Sequence, residues 1–124
     1  MKELSMHEER IMQIFWNKEK AMVREVLELL PEPKPPYTTL ASSIRLLESK
    51  GYLAHKSYGN VNQYYPVISQ SEYSKNSANH MLKNYFNGSV GNFLSFMVKE
   101  NKVSDSELEE LQQLIDKFEK GEKS

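Results

Sequence analysis

The chain has 124 residues, of which 39% are hydrophobic and 27% are charged, and its formal net charge is −1. This composition is typical of one ordinary globular domain, or of one small domain with an appendage. The chain contains no cysteine, which excludes disulfides, thiolate catalysis, cysteine-ligated zinc and iron–sulfur clusters. It shows no apolar run of roughly 18 residues and no basic-then-apolar start, so we expect a cytoplasmic protein that does not enter the membrane.

Charge is spread unevenly along the sequence. Residues 1–66 carry nine Lys/Arg against eight Asp/Glu, whereas residues 67–124 carry seven against nine. The segment 37–66 has a local excess of three basic residues over one acid, namely Arg45, Lys50 and Lys56 over Glu48. This excess permits contact with phosphate but does not by itself indicate nucleic-acid binding.

Two amphipathic helices are predicted near the N-terminus. Ser5 and Glu8 have the spacing of a capping box, in which each side chain binds the other's backbone N–H. Apolar residues then recur at helical spacing over residues 6–17 and again over 21–30. The segment 31–36 contains four prolines, which cannot continue a helix, and it predicts a stiff turn.

A third helix and a β-hairpin follow the turn. The helix is predicted over residues 38–50, and Gly51 suits its left-handed end. Two strands are predicted at 52–57 and 62–67, joined by a Gly-Asn pair that favours a tight turn. The order helix, helix, turn, helix, hairpin is that of a winged helix-turn-helix domain.

Three further helices complete a fold class that is mostly α with a small β-hairpin. We predict a winged helix-turn-helix DNA-binding domain over residues 1–68 and a helical dimerisation region over 69–124. Residues 84–98 are rich in aromatic and aliphatic side chains and carry no charge. Three short helices cannot easily bury all these faces alone, which favours a subunit interface; packing against the winged helix is the alternative. The apolar positions predicted to dimerise the chain are Met81, Leu82, Tyr85, Phe86, Val90, Phe93, Leu94, Met97, Leu108, Leu111, Ile115 and Phe118.

One face of the third helix suits contact with DNA bases. Thr38, Ser42, Arg45 and Ser49 are spaced by four, three and four residues and therefore share a face, with Ala41 beside them. Arginine can donate two hydrogen bonds to guanine, serine and threonine can reach bases or phosphates, and an alanine methyl can touch a thymine methyl. An ordinary solvated helix face is the alternative interpretation.

The hairpin offers a second set of donors. Lys56, Tyr58, Asn60, Asn62 and Gln63 can each donate to phosphate or to a groove edge. A hairpin that only stabilises the fold is the alternative. The candidate DNA-binding residues of helix and hairpin are Thr38, Thr39, Ala41, Ser42, Arg45, Ser49, Lys50, Lys56, Tyr58, Asn60 and Asn62.

The sequence gives little support to catalysis. His7, His55 and His80 fall on three different predicted elements without the spacing of metal ligands, and we find no pairing of a nucleophile with a base. We therefore predict no enzyme, no metal site and no cofactor. A winged-helix module that docks proteins and has no DNA partner remains the alternative; it would lack the steep salt dependence of DNA binding.

Several segments of the chain carry a family resemblance: Leu4-Ser5, Ile14-Phe15-Trp16, Tyr37-Thr38-Thr39-Leu40, the run Leu-Glu-Ser-Lys-Gly-Tyr-Leu at 47–53, Gln63-Tyr64-Tyr65-Pro66 and Glu107-Leu108-Glu109-Glu110-Leu111. Together they resemble the penicillinase repressor family of bacterial transcriptional repressors, which includes the methicillin-resistance repressor and the copper-responsive CopY-type regulators. The resemblance covers nearly the whole chain in order and spacing. It implies a homodimer that binds a dyad-symmetric operator in double-stranded DNA and blocks transcription of resistance or stress genes.

The chain departs from the family pattern in its third helix and in its cysteine content. The family usually has arginine directly before the leucine that corresponds to Leu47, whereas this chain has Leu46 there and its arginine at Arg45. The set of residues that faces the groove therefore differs. CopY-type members bind metal through C-terminal cysteines, and the lack of cysteine here excludes copper sensing by that route.

The resemblance also implies a route for induction. Penicillinase-type repressors are cleaved at an Asn-Phe bond by a membrane-bound sensor metalloprotease. The corresponding position here is Phe96-Met97, while an Asn92-Phe93 pair lies one helical turn earlier. Both bonds are candidate cleavage sites; the alternative is that this stretch is protected interface core and that a ligand or partner relieves repression.

Overall fold

The computed structural model describes residues 2–119 and residue 121; the side chain of Phe118, one of the predicted dimerisation residues, lies outside the described part. The elements are α1 (Met6–Lys18), β1 (Ala21–Met22), α2 (Val23–Leu29), α3 (Tyr37–Ser49), β2 (Leu53–Tyr58), β3 (Val61–Pro66), α4 (Gln70–Tyr85), α5 (Val90–Lys99) and α6 (Asp105–Glu119). The chain divides into two compact units, with the boundary between Ala78 and Asn79. Within the described residues, no helix has the length and apolar character that crossing a bilayer requires.

Helix α1 begins at the predicted capping box, which is confirmed. The Ser5 backbone N–H donates to Glu8 Oε1 at 2.9 Å, and the Glu8 N–H donates to Ser5 Oγ at 3.2 Å. These bonds satisfy two of the donors that every helix N-terminus leaves free. The inner face of α1 carries Ile11 and Phe15, which are completely buried.

Helix α2 is shorter than the sequence predicts, and the prediction is wrong at its first two residues. Ala21 and Met22 form strand β1, which pairs antiparallel with Tyr64 and Gln63 of β3. The hairpin is thereby extended to a three-stranded sheet of order β1-β3-β2. Local periodicity cannot reveal so short a strand, because only its pairing with β3 makes it one.

The proline-rich turn is held by a lysine. Lys34 Nζ donates to the carbonyl oxygens of Leu27, Glu28 and Leu30 at 2.9, 2.9 and 2.8 Å. The last carbonyls of a helix have no partner within it, and a cation there also favours the helix dipole. Lys34 therefore ends α2 and fixes the path of the chain into α3.

The end of α3 and the hairpin follow the predicted pattern. Gly51 has a φ of +88°, and its N–H and that of Tyr52 donate to Glu48 and Leu47 carbonyls, both at 3.0 Å. This is the arrangement of a glycine-terminated helix. Beyond it, the hairpin closes on Gly59-Asn60, where Gly59 has a φ of +62°, as the first central residue of a tight hairpin turn requires.

The core of the first unit lies between α1, α2, α3 and the sheet. Trp16 Nε1 donates to the Ile68 carbonyl at 2.9 Å, and Tyr73 Oη donates to Glu9 Oε2 at 2.6 Å. These contacts attach residue 68 and the start of α4 to α1. The buried apolar residues are Ile11, Met12, Phe15, Ala21, Val23, Val26, Leu30, Leu40, Ala41, Ile44, Leu47, Tyr52, Leu53, Tyr64 and Tyr73.

The second unit contains the end of α4 together with α5 and α6. Its two helix starts are capped, α5 by Ser89 and α6 by a capping box of Ser104 and Glu107. The ring of Phe86 lies 5.3 and 5.6 Å, between centroids, from those of Phe93 and Phe96. Among the described side chains of residues 79–119, none is buried.

Candidate nucleic-acid interface

The outward side of α3 brings together four of the predicted DNA-binding residues. They are exposed, whereas the opposite side of the helix is buried in the core. Arg45 Nη2 donates to Ser42 Oγ at 3.2 Å, which holds the guanidinium along the helix surface. We call these residues the recognition face: Thr38, Ser42, Arg45 and Ser49.

Two other predicted residues of α3 and its end are engaged within the protein. Ala41 is only 8% exposed and belongs to the core. Lys50 Nζ donates to Glu8 Oε2 at 2.7 Å, and both side chains are largely shielded from solvent. Burial by itself raises the pKa of Glu8, but hydrogen bonds from Lys50 and from the Ser5 backbone outweigh it, so the pKa of Glu8 lies below its ordinary value. Lys50 therefore joins α3 to α1, and we leave Ala41 and Lys50 outside the recognition face.

The hairpin presents the other predicted donors to solvent. Strands β2 and β3 with the turn at Gly59-Asn60 are called the wing, and Lys56, Tyr58, Asn60 and Asn62 are exposed on it. Ser57 Oγ donates to Asn62 Oδ1 at 2.9 Å, a contact that leaves the amide N–H groups of Asn62 unused. Tyr64 is buried and Tyr65 is exposed, because successive side chains of a strand point to opposite faces of the sheet.

A cleft of about 420 Å³ lies between α2, the start of α3 and the wing turn, and it connects the recognition face with the wing. The Arg24 guanidinium carbon lies 5.7 Å from the centroid of the Tyr37 ring, within cation–π range. Arg45, Asn60 and Asn62 line the same cleft. Helical spacing does not pair Arg24 with Tyr37, because no local pattern links residues on two different helices.

Acidic residues limit the positive charge of this cleft. Glu25 and Glu28 also line it. Glu25 Oε1 accepts from the Met22 backbone N–H at 2.8 Å, and its Oε2 lies 3.8 Å from Lys18 Nζ, so its charge is shared locally. Glu28 lies one helical turn from Arg24 on α2.

A contact between His55 and Glu48 links the wing to α3. His55 Nδ1 lies 2.6 Å from Glu48 Oε2. Because Glu48 is on α3 and His55 is on β2, the pair restrains the end of the helix against the first wing strand. The other two histidines are elsewhere: His7 lies 3.4 Å from Ser43 Oγ, and His80 contacts Asn84. Within the part of the chain that the structure describes, no three histidines and acids are grouped as metal ligands.

The predicted dimerisation residues occupy the second unit, apart from the undescribed side chain of Phe118. Their side chains are half-buried or exposed. An apolar pocket of about 290 Å³ between α5 and α6 is lined by Phe93, Leu94, Met97 and Leu111 among others. The half-buried members are Met81, Leu82, Phe86, Phe93, Leu94, Met97 and Leu111, and the exposed ones are Tyr85, Val90, Leu108 and Ile115.

Both candidate cleavage bonds lie inside α5. Asn92-Phe93 is in the first turn of the helix, where the Asn92 N–H is capped by Ser89 Oγ at 3.0 Å. Phe96-Met97 is in the second half. Of the four residues, Asn92 and Phe96 are exposed and the other two are half-buried.

Most of the chain is similar to proteins of one family. The family model described as Penicillinase repressor matches residues 4–117. Methicillin resistance regulatory protein MecI of Staphylococcus aureus (strain N315) is 31% identical over 120 residues, covering 93% of this chain and 94% of that protein. The Penicillinase repressor of Bacillus licheniformis is 26% identical over 116 residues, covering 92% and 90% respectively.

A solved structure shares the fold. The solution structure of the DNA binding domain of the repressor BlaI matches with a TM-score of 0.51 and 28% sequence identity, over 59% of this chain and 94% of that domain. With the three-stranded antiparallel sheet among the helices, this similarity confirms the predicted fold class.

Proposed function

The chain belongs to the penicillinase repressor family, and from this premise we propose that it is a sequence-specific repressor that binds operator DNA through the recognition face and the wing. The family consists of transcriptional repressors and not of enzymes. The observation that carries the proposal is that exposed polar side chains of α3 and of the hairpin border one cleft of the first unit.

The recognition face is suited to the major groove. That groove admits an α-helix and presents a distinct donor and acceptor pattern for each base pair. In the proposed complex Arg45 donates to guanine O6 and N7. Ser42, whose Oγ accepts from Arg45 in the free protein, lies beside it. The contacts of Lys34 at the turn and of His55 with Glu48 support this role, because they fix α3 before DNA is bound.

The wing is suited to phosphate. Lys56 is a compact positive charge on an exposed strand, and Asn60 and Asn62 add amide donors. Such contacts position the protein on the duplex without reading its sequence.

Two alanine variants test whether α3 reads bases while the wing contacts phosphate. Arg45→Ala should cost about 1–3 kcal/mol on operator DNA and relax the preference at one base pair, because a bidentate contact to guanine is lost. Lys56→Ala should weaken binding to all sequences about equally and flatten the dependence of affinity on salt. Fluorescence anisotropy with operator and scrambled duplexes measures both. Equal operator affinity of Arg45→Ala and the parent would show that α3 does not dock in this way, and a chain with no salt-dependent affinity for DNA would favour the protein-docking alternative.

 We further propose that the chain acts as a homodimer on a dyad-symmetric operator. The apolar side chains of α5 and α6 support this, since Val90 and Ile115 remain at least half exposed within one chain. A dimer would present two recognition helices to half-sites about one helical turn of DNA apart, or a multiple of it. The genes that such an operator controls would be resistance or stress genes, as in the relatives named for methicillin resistance and penicillinase.

Relief of repression by proteolysis is the last part of the proposal. A membrane-bound sensor metalloprotease would cut α5 at Asn92-Phe93 or at Phe96-Met97. A helical bond must unwind before a protease can bind it, and the first turn of a helix opens most readily, which favours Asn92-Phe93. Either cut separates α6 from the DNA-binding unit and divides the apolar surface of α5.

The fate of the chain in cells tests the proteolysis. Its size is followed by immunoblot before and after exposure to a cell-wall-active antibiotic, in the parent and in Asn92→Ala and Phe96→Ala variants. We expect a shortened chain in the parent and an intact chain in one of the two variants. Repression that lifts while the parent chain stays intact would contradict cleavage and leave the dimer proposal standing.

A further inference from the structure

An exposed leucine lies on the outward side of α3. Leu46 is 51% exposed, and its neighbours one turn away, Ser42 and Ser49, are exposed as well. In α3, all of whose residues are described, it is the only exposed aliphatic side chain larger than alanine. The other aliphatic residues of the helix are buried: Leu40, Ala41, Ile44 and Leu47.

The neighbours of Leu46 on both sides are held by contacts within the protein. Towards α1, Ser43 Oγ lies 3.4 Å from His7 Nε2 and Lys50 is paired with Glu8. Towards the cleft, Arg45 is hydrogen-bonded to Ser42. Leu46 therefore lies between side chains that are held in place on both sides. Because Ser42 and Leu46 are four residues apart on one helix, α3 cannot bring Ser42 to a base without bringing Leu46 into the same groove.

Resting on the proposed docking of α3 in the major groove, we propose that Leu46 is a specificity-determining residue that packs against the C5 methyl group of a thymine in the operator. The thymine methyl is the one apolar group among the base edges of the major groove. Leucine has neither donor nor acceptor, and against any other base edge it would take water from polar groups without replacing their hydrogen bonds. The preferred operator thus carries a thymine close to the guanine that Arg45 contacts.

Deoxyuridine isolates this contact, because it differs from thymidine only by the missing methyl group. A duplex is first selected from a random-sequence pool by the full-length chain, and each thymine of one half-site is then replaced by deoxyuridine. At one position the parent should bind roughly fourfold more weakly, the factor expected when one methyl group is removed from a buried apolar contact. Leu46→Ala should bind the two duplexes equally. Leu29→Ala is the matched control, since Leu29 is a leucine of α2 with a similar exposure of 55%, and it should keep the preference of the parent.

The outcomes separate this inference from the proposed function. If Leu46→Ala binds the selected duplex and still prefers thymine as strongly as the parent, Leu46 does not contact the methyl group, although the chain remains a DNA-binding repressor. If Leu29→Ala loses the preference too, the effect is not local to α3 and the inference is equally wrong. If the chain enriches no duplex from the pool, the proposed function fails and the inference fails with it.

Discussion

The two units differ in where their apolar side chains lie. In the first unit, Phe15, Ile44 and Tyr52 are completely buried within the chain. In the second unit, α5 is an apolar helix with no buried residue, and Val90 and Phe96 are 56% and 48% exposed. A helix with an uncovered apolar face gains most of its stability from packing against a partner. The first unit therefore has the core that an independently folding domain needs, whereas the second leaves exposed the apolar side chains that the proposed dimer would cover.

Separating the units should have the largest effect. A fragment of residues 1–78 keeps the Trp16–Ile68 and Tyr73–Glu9 contacts, and we expect it to fold cooperatively as a monomer. Its operator affinity should fall by about 10²–10⁴-fold, because two linked half-site contacts become independent. Circular dichroism, sedimentation and anisotropy check the three statements. A fragment that binds operator as tightly as the full chain would show that the second unit adds nothing to DNA binding.

The same substitution in each unit should have different consequences. Phe15→Ala empties a fully buried position and should destabilise the first unit by about 3–5 kcal/mol at any protein concentration. Phe93→Ala, at a half-buried position of α5, should instead raise the concentration at which the dimer dissociates. Thermal unfolding and sedimentation over a dilution series distinguish the two. Concentration-independent unfolding of the full chain and of Phe93→Ala would mean that the second unit needs no partner.

The sequence predicts elements well where their signals are local. The Ser5–Glu8 capping box and the left-handed Gly51 each lie at the predicted helix end. The sequence does not predict strand β1, because Ala21 and Met22 become a strand only by pairing with β3, which is distant in sequence. Local patterns therefore predict individual elements, but they do not predict the contacts between elements that are distant in sequence.

In the candidate site, too, the sequence predicts what lies on one element but not the contacts between elements. Helical spacing grouped Thr38, Ser42, Arg45 and Ser49, because all four lie on one helix. It could not foresee that Lys50 pairs with Glu8 of α1 or that Arg24 of α2 lies over Tyr37, because those contacts join distant segments. A charge count treats Lys50 as available to phosphate; only burial shows that it is engaged.

The Lys50–Glu8 pair predicts a pH-dependent effect confined to the first unit. The folded-state pKa of Glu8 is below its ordinary value, so the pair stabilises the protein above the unfolded pKa and the stabilisation is lost as pH falls through the folded pKa. Lys50→Met removes the donor and leaves a shielded carboxylate, which should cost about 1–3 kcal/mol at pH 7. Urea unfolding should show a smaller difference from the parent at a pH below the folded-state pKa of Glu8, where its carboxyl group is protonated.

A matched variant controls for loss of charge alone. Lys56→Met removes the same charge from an exposed position on the wing and should change the free energy of unfolding little at either pH. A Lys50→Met protein as stable as the parent at pH 7 would show that the ion pair does not support the joint between α3 and α1, and would return Lys50 to the candidate DNA contacts.

The smallest predicted effect concerns how far the DNA surface of the first unit extends beyond α3. Arg24 lies over Tyr37 beside the cleft that the wing also borders, and we expect its guanidinium to contact a phosphate. Arg24→Ala should weaken binding to all duplexes alike and reduce the slope of log affinity against log salt by about 0.9 in magnitude, the value for one released counterion. Arg10→Ala removes the same charge from a different groove, between α1 and α4, and should leave the slope nearly unchanged. Glu28→Gln should act in the opposite direction and strengthen binding to every duplex, because Arg24 then has one carboxylate fewer nearby. Equal slopes for the Arg24 and Arg10 variants would mean that net charge, and not a contact at the cleft, sets the salt dependence, and the DNA surface would then end at the recognition face and the wing.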